Sequence, residues 1–278
     1  MYVMSVKMRK SKKKPENKTL RSCLVEMQDY SIHYYASQLV PTSQEVIILV
    51  HGLAVCSRYM LPTAEHLAPF YQVLVPDLPG YGLSSKPSHN LTLPDFADML
   101  ARWMDCLGIE QAVLVGNSLG CQIIAQFALR YPERLMRAVL VGPTMDAHAR
   151  TAHQQIGRWL VNLAFEPFSL YPIVLRDFFD IGVRRFIAVF RSGLRDRIEE
   201  YLPHMQVPTL VIRGTYDTIV PSGWAQEVTD KLPQGQFLAI EGAAHDVNYN
   251  SPARLAQAVQ RFLNCQPGRP VKRPERPD

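Results

Sequence analysis

Residues 116–120 read Gly-Asn-Ser-Leu-Gly, a G-x-S-x-G pentapeptide with a serine between two glycines. It follows the apolar run A-V-L-V at 112–115 and opens a helix-like run, C-Q-I-I-A-Q-F-A-L-R-Y, at 121–131. A serine so placed sits on a sharp strand-to-helix turn. The glycines leave space where side chains would clash, and the turn pushes the hydroxyl into a cleft. The helix N-terminus adds partial positive charge where an anion would develop. The pentapeptide alone is a weak signal, but the strand–turn–helix context makes Ser118 the candidate nucleophile for attack on an acyl carbon.

A serine hydroxyl is a poor nucleophile at neutral pH and needs a base. Of the eight histidines, His245 follows Gly-Ala-Ala at 242–244, just after the last predicted strand. Open α/β sheets place their ligands at such C-terminal strand ends. The base in turn needs an acid to fix its tautomer and stabilise the imidazolium. Asp217, in G-T-Y-D-T-I-V-P at 214–221, follows the preceding strand. Asp146 is the alternative acid, and Asp246, adjacent to the base, is expected to point elsewhere. A tetrahedral oxyanion requires donors. These are expected from the backbone N–H of Leu119 and, in the His51-Gly52-Leu53-Ala54 loop, that of Leu53. His51 is read as shaping this loop. Such chemistry calls for no metal and no organic cofactor.

These residues must be positioned by a sheet. Strand-like runs fall at 20–28, 31–36, 45–50, 72–75, 112–116, 137–141, 209–213 and 236–240, the first two joined at Asp29–Tyr30. Short unbroken apolar runs such as V-I-I-L-V suit strands buried on both faces. Helical patterns at 57–67, 94–107, 119–131, 222–232 and 252–263 separate them. Pro94 and Gly108 punctuate one in the order expected at helix ends. The alternation predicts a mostly parallel sheet covered on both faces. Residues 144–204 break it: rich in aromatics and arginine, with helical apolar spacing, they read as a small helical insertion.

Composition narrows the classes. The net charge of +5 is uneven. Residues 1–21 hold eight Lys/Arg against Glu16, and 266–278 hold four against Glu275 and Asp278, leaving the body near −4. The basicity belongs to the tails, not to a nucleic-acid-binding domain. The Lys-rich 1–18 segment reads as a disordered solubilising tail, with an anionic-surface or nucleic-acid tether as the alternative. Five cysteines without C-x-x-C argue against a disulfide framework or a Cys-rich zinc site and suggest a reducing cytoplasm. The N-terminus makes a poor signal peptide, and no apolar run is long enough for a membrane span. The oligomeric state is left open, a homodimer among the options.

Together the motifs resemble the α/β-hydrolase superfamily, in its small capped group of esterases, haloperoxidase-like enzymes and C–C hydrolases. The resemblance runs through H-G-L-A at 51–54, D-L-P-G-Y-G-L-S-S at 77–85 and G-N-S-L-G at 116–120. It continues through R-Y-P-E-R-L at 130–135, L-V-G-P at 140–143, P-T-L-V-I-R-G-T-Y-D-T-I-V-P at 208–221 and G-A-A-H at 242–245. The order Ser118, Asp217, His245 matches that class. The resemblance implies an eight-stranded, mostly parallel sheet, a core at 20–143 and 205–264, and a helical cap at 144–204. Tails at 1–19 and 265–278 flank these. Asp77 is implied to shape a turn rather than to catalyse. The implied activity is serine hydrolysis of a carboxylic ester, thioester or lactone of a small apolar acid. C–C cleavage of a diketone acid, with Arg176, Arg184, Arg185 or Arg191 holding its carboxylate, is an alternative. So is a ligand receptor that has ceased to turn over.

Overall fold

The computed structural model describes residues 19–28 and 30–265. The Lys-rich segment 1–18, Asp29 of the first turn and residues 266–278 lie outside it. In chain order the strands are β1 (Leu20–Glu26), β2 (Ser31–Ser37), β3 (Val46–Val50), β4 (Gln72–Pro76), β5 (Ala112–Asn117), β6 (Leu135–Val141), β7 (Thr209–Gly214) and β8 (Gly235–Ile240). They form one sheet in the order β1-β2-β4-β3-β5-β6-β7-β8. β1–β2 and β2–β4 pair antiparallel and the remaining pairs parallel.

The helices are α1 (Leu61–Leu67), α2 (Leu93–Cys106), α3 (Leu119–Arg130), α4 (Ala152–Leu163), α5 (Tyr171–Ile181), α6 (Val183–Arg195), α7 (Ile198–Tyr201), α8 (Ser222–Lys231), α9 (Val247–Asn250) and α10 (Pro252–Asn264). The expected helix at 57–67 is split. Ser57–Met60 is a 3-10 turn, and α1 begins only at Leu61, because Pro62 lacks an N–H and fits the first helical turn. The first strand ends at Glu26, short of the expected 28.

The apolar runs are continuous because both faces of the sheet are covered. Ile48, Val50 and Leu114 join a core with α2, α3 and α8. Ile47, Leu49, Val113 and Val115 alternate to the opposite side and pack with α1 and α10. All of these strand residues are fully buried, each worth about 1.5–3 kcal/mol relative to exposure. Strand order reverses between β3 and β5, since β4 lies to one side of β3 and β5 to the other. That is the topological switch point where α/β sheets open a crevice at their C-terminal edge.

Residues 144–204, between β6 and β7, carry α4 to α7 with short 3-10 turns and no strand. Polar contacts fasten them to the rest. Asp177 of α5 accepts from Cys56 N (3.0 Å) and pairs with Arg58. Asp196, after α6, accepts from Gln122 and Gln126 of α3 at 2.9 and 2.7 Å. Among the described residues no helix is long and apolar enough to cross a membrane.

Candidate active site

Ser118 stands between the end of β5 and the start of α3 with φ +56°, a conformation that strains any side chain bearing a Cβ. Packing enforces the turn. A methyl built on Gly116 would lie 2.7 Å from the Gly120 backbone, and one on Gly120 would lie 2.4 Å from Val50 O. Both glycines are thus required for β5, α3 and β3 to meet. Ser118 N donates to Val141 O at the end of β6 (2.9 Å).

His245 and Asp217 come from the loops after β8 and β7. His245 Nδ1–H donates to Asp217 Oδ2 at 2.8 Å, and both side chains are buried. Asp217 Oδ1 accepts from Ile219 N and Val220 N, each at 2.9 Å, so the carboxylate is locked by its own turn. With Nδ1 committed, Nε2 is the basic nitrogen, and it is buried without a hydrogen-bond partner. Burial opposes protonation of His245. The charge and hydrogen bond of Asp217, with Asp246 and Glu166 behind them, override it and raise its pKa to about 9.

The loop that carries the expected donor Leu53 approaches the serine. Gly52 packs so closely that a methyl on it would be 3.2 Å from Ser118 Cβ. Among the described residues nothing accepts from Leu53 N or Leu119 N. Ala54, at φ +62°, turns the chain immediately after Leu53.

His51 is fully buried and both its ring nitrogens are engaged. Leu78 N donates to Nε2 (3.0 Å), so Nδ1–H donates to Gly52 O (2.9 Å). Burial lowers its pKa and keeps it neutral. It braces the loop and has no free nitrogen for a base's work. Asp77 accepts from His33 Nδ1, Ser57 N and Leu83 N at 2.8, 2.8 and 3.0 Å. Burial would raise its pKa, but His33 and these N–H groups hold it at about 2. Asp146 pairs with Arg158 (2.6 Å) and accepts from His148 N, away from the base. Asp246 makes no hydrogen bond to His245. Burial and the neighbouring Glu166 charge raise its pKa.

The contacts of three further residues were not readable from the sequence. Tyr59 OH donates to Asn117 Oδ1 (2.7 Å) and accepts from Gly52 N (3.0 Å), joining the two loops around Ser118. Asn117 Nδ2 donates to His245 O (3.2 Å), linking the Ser118 turn to the His245 loop. Glu166, from the insertion, accepts from Asp246 N (2.8 Å), Asn162 Nδ2 (3.0 Å) and Asn250 Nδ2 (2.9 Å). A lone acid between Phe165 and Pro167 was the only sequence sign of that role. Of the four arginines suggested to hold a carboxylate, Arg185 donates to Ile181 O and Pro87 O, while Arg176, Arg184 and Arg191 are solvent-exposed. Among the described residues no three His, Cys, Asp or Glu side chains converge as metal ligands.

Comparison with known proteins agrees with this architecture. The profile of the alpha/beta hydrolase fold family matches residues 45–199, and that of TAP-like proteins matches 191–271. Carboxylesterase YbfK of Bacillus subtilis is 28% identical over 246 residues, covering 80% of this chain and 81% of that one. An (E)-2-((N-methylformamido)methylene)succinate hydrolase of Acinetobacter baylyi is 23% identical, covering 80% and 92%. Among solved structures, a bacterial membrane phospholipase A superposes with a TM-score of 0.74 at 24% identity, over 89% of this chain and 86% of its own. The chain belongs to the alpha/beta hydrolase fold family and is an α/β-hydrolase enzyme.

Proposed function

We propose that the protein is a serine hydrolase in which Ser118, His245 and Asp217 form a catalytic triad acting on a carboxylic ester, thioester or lactone of an apolar acid. The observation that carries this is the buried Nε2 of His245, which has no hydrogen-bond partner and whose opposite nitrogen is committed to Asp217, at the edge of the sheet where half-buried Ser118 stands. Ser118 Oγ attacks the acyl carbon as Nε2 takes its proton. Asp217 stabilises the imidazolium, and the N–H groups of Leu53 and Leu119 receive the oxyanion. His245 then protonates the leaving group, and water repeats the sequence to free the acid. Residues 144–204 act as the cap over this cleft. The carboxylesterase relatives support the ester class. C–C cleavage loses its suggested carboxylate clamp, because Arg185 is engaged by backbone carbonyls and its three companions face solvent. Free thiols at Cys23, Cys56, Cys106, Cys121 and Cys265 support residence in a reducing compartment such as the cytoplasm.

A fluorophosphonate probe read by intact mass tests the triad. Wild type should gain one adduct, and Ser118→Ala should gain none while remaining folded by circular dichroism. An adduct that persists in Ser118→Ala, or its absence from folded wild type, would overturn the assignment.

A further inference from the structure

The insertion buries Leu170, Ile181, Val189, Ile198 and Leu202 but turns other apolar residues outward. In α4 the body-facing side chains are polar. Gln155 donates to Ala149 O, Arg158 pairs with Asp146, and Asn162 donates to Glu166. The opposite face carries Ile156, Trp159 and Leu160, between 44% and 55% exposed. The α5–α6 hairpin buries Ile181 and Val189 in the core but also turns Leu175, Phe179 and Val183 outward, at 59%, 70% and 57%. Arg176, Arg184, Arg191 and Arg195 lie exposed on the same two helices, and none is in an ion pair among the described residues. The acids of this region are already taken: Asp177 by Arg58, Asp180 by Lys86, Asp196 by two glutamines. What remains outward is apolar and cationic.

Scattered exposed leucines are ordinary, but apolar stripes on consecutive helices rimmed by unpaired arginines mark a contact surface. A second copy of this chain is a poor occupant, since a twofold face would set arginines against arginines. An anionic lipid surface satisfies both features at once. Guanidinium groups meet the headgroup phosphates while Leu, Phe and Trp side chains enter the acyl boundary. We propose that the outer face of the α4 and α5–α6 helices seats on an anionic lipid bilayer. The insertion is tied to both sides of the site. α4 reaches the Asp217 loop through Thr218 Oγ1 and Arg158 O (2.9 Å), and α5 holds the Leu53 loop through Asp177 and Cys56 N. Seating would bring the cleft to the membrane, and the substrate class becomes acyl esters of lipids. That last step rests on the serine-hydrolase reading.

Trp159 makes the test selective. The other two tryptophans, Trp103 and Trp224, are buried, so an emission change on docking reports Trp159. The full chain is titrated with vesicles of phosphatidylcholine alone and with 30% phosphatidylglycerol. The expected result is a blue shift and tight partition only with phosphatidylglycerol. Leu175→Ser with Phe179→Ser should weaken partition at least tenfold and leave hydrolysis of a water-soluble short-chain ester unchanged. Three results overturn the proposal: no partition, partition through the Lys-rich segment with no blue shift and no effect of the double variant, or a dimer that the double variant dissociates. A blue shift in a protein that takes no fluorophosphonate leaves the bilayer surface standing and removes the serine-hydrolase reading instead.

Discussion

The sheet and the insertion use the same kinds of residue in opposite ways. In β3, β5, β6 and β7 nearly every side chain is buried, and two apolar cores clamp the strands. Position there follows from packing, which is dense and offers no alternative arrangement. In the insertion, buried carboxylates and amides (Asp177, Asp196, Glu166 and Asn162) make the polar attachments, and Leu170, Ile181, Val189, Ile198 and Leu202 join the cores, whereas α4 buries only Gln155 and Asn162. Many of its large apolar side chains face solvent instead. A packed apolar core holds the reacting groups at fixed separation. At α4, whose buried side chains are Gln155 and Asn162, a polar attachment specifies where the helix sits while storing little hydrophobic stabilisation in it. Substitutions that separate position, stability and surface should therefore behave differently in the two regions.

The largest effect belongs to the sheet edge. Asp217→Asn keeps the side-chain volume and the Ile219 and Val220 N–H bonds but cannot accept from Nδ1–H without reversing the amide. Ester turnover should fall by about 10⁴-fold through the wrong imidazole tautomer. Unfolding in urea should change far less, and an activity loss under tenfold would mean His245 is oriented by something else.

Next is Asp77→Ala, which removes a buried acceptor and leaves Ser57 N, Leu83 N and His33 Nδ1 without it. Breaking such a buried pair costs roughly 3–5 kcal/mol, measurable by urea denaturation. Its pH dependence has a defined sign. The folded pKa lies near 2, below the ordinary value, so this stability is present above about 4 and is lost as pH falls toward 2. A wild type without that acid decline would contradict the network.

These two residues were legible for different reasons. Asp217 follows a buried parallel strand whose unbroken apolar run announces itself, and the glycine spacing around Ser118 reports a local steric need. Asp77 was read as a turn residue by resemblance alone. Tyr59, Glu166 and Asp177 were not legible, because their partners lie 58, 80 and 121 residues away in the chain and no local periodicity records such contacts. The insertion's helical spacing showed in the sequence. Which face would turn outward did not, since α4 inverts the usual pattern, and Arg185, suggested as a substrate ligand, instead holds Pro87 O.

A smaller effect tests whether the insertion tunes the base. The His245 cation is favoured in the fold, so its stabilising contribution is present below the ordinary pKa and lost as pH rises through about 9. Catalysis has the opposite sign, because the base must be neutral, and kcat/KM should climb over the same interval. Glu166→Gln removes one negative charge and should move that limb to lower pH. The bond to Asn250 can survive by an amide flip, since Asn250 Oδ1 has no partner. The shift is partly offset, because Asp246 ionises more readily once the Glu166 charge is gone. Adding Asp246→Asn should therefore shift the limb further than Glu166→Gln alone. An unmoved limb in both variants would leave Glu166 as a structural clamp only.

The smallest effect is the sharpest test of the contrast. Leu114, fully buried in β5, and Leu160, 55% exposed on α4, are the same residue type in the two regions. Leu114→Ala loses burial and leaves a cavity that the packed strands cannot close, a cost of about 2–5 kcal/mol. Leu160→Ser removes little that is buried, and its helix is seated by Gln155, Arg158 and Asn162 on the opposite face, so urea unfolding should shift by under about 0.5 kcal/mol. A loss of 2 kcal/mol or more at Leu160 would mean its face is covered in the free protein, and the division between a packed sheet and a polar-docked α4 would fail.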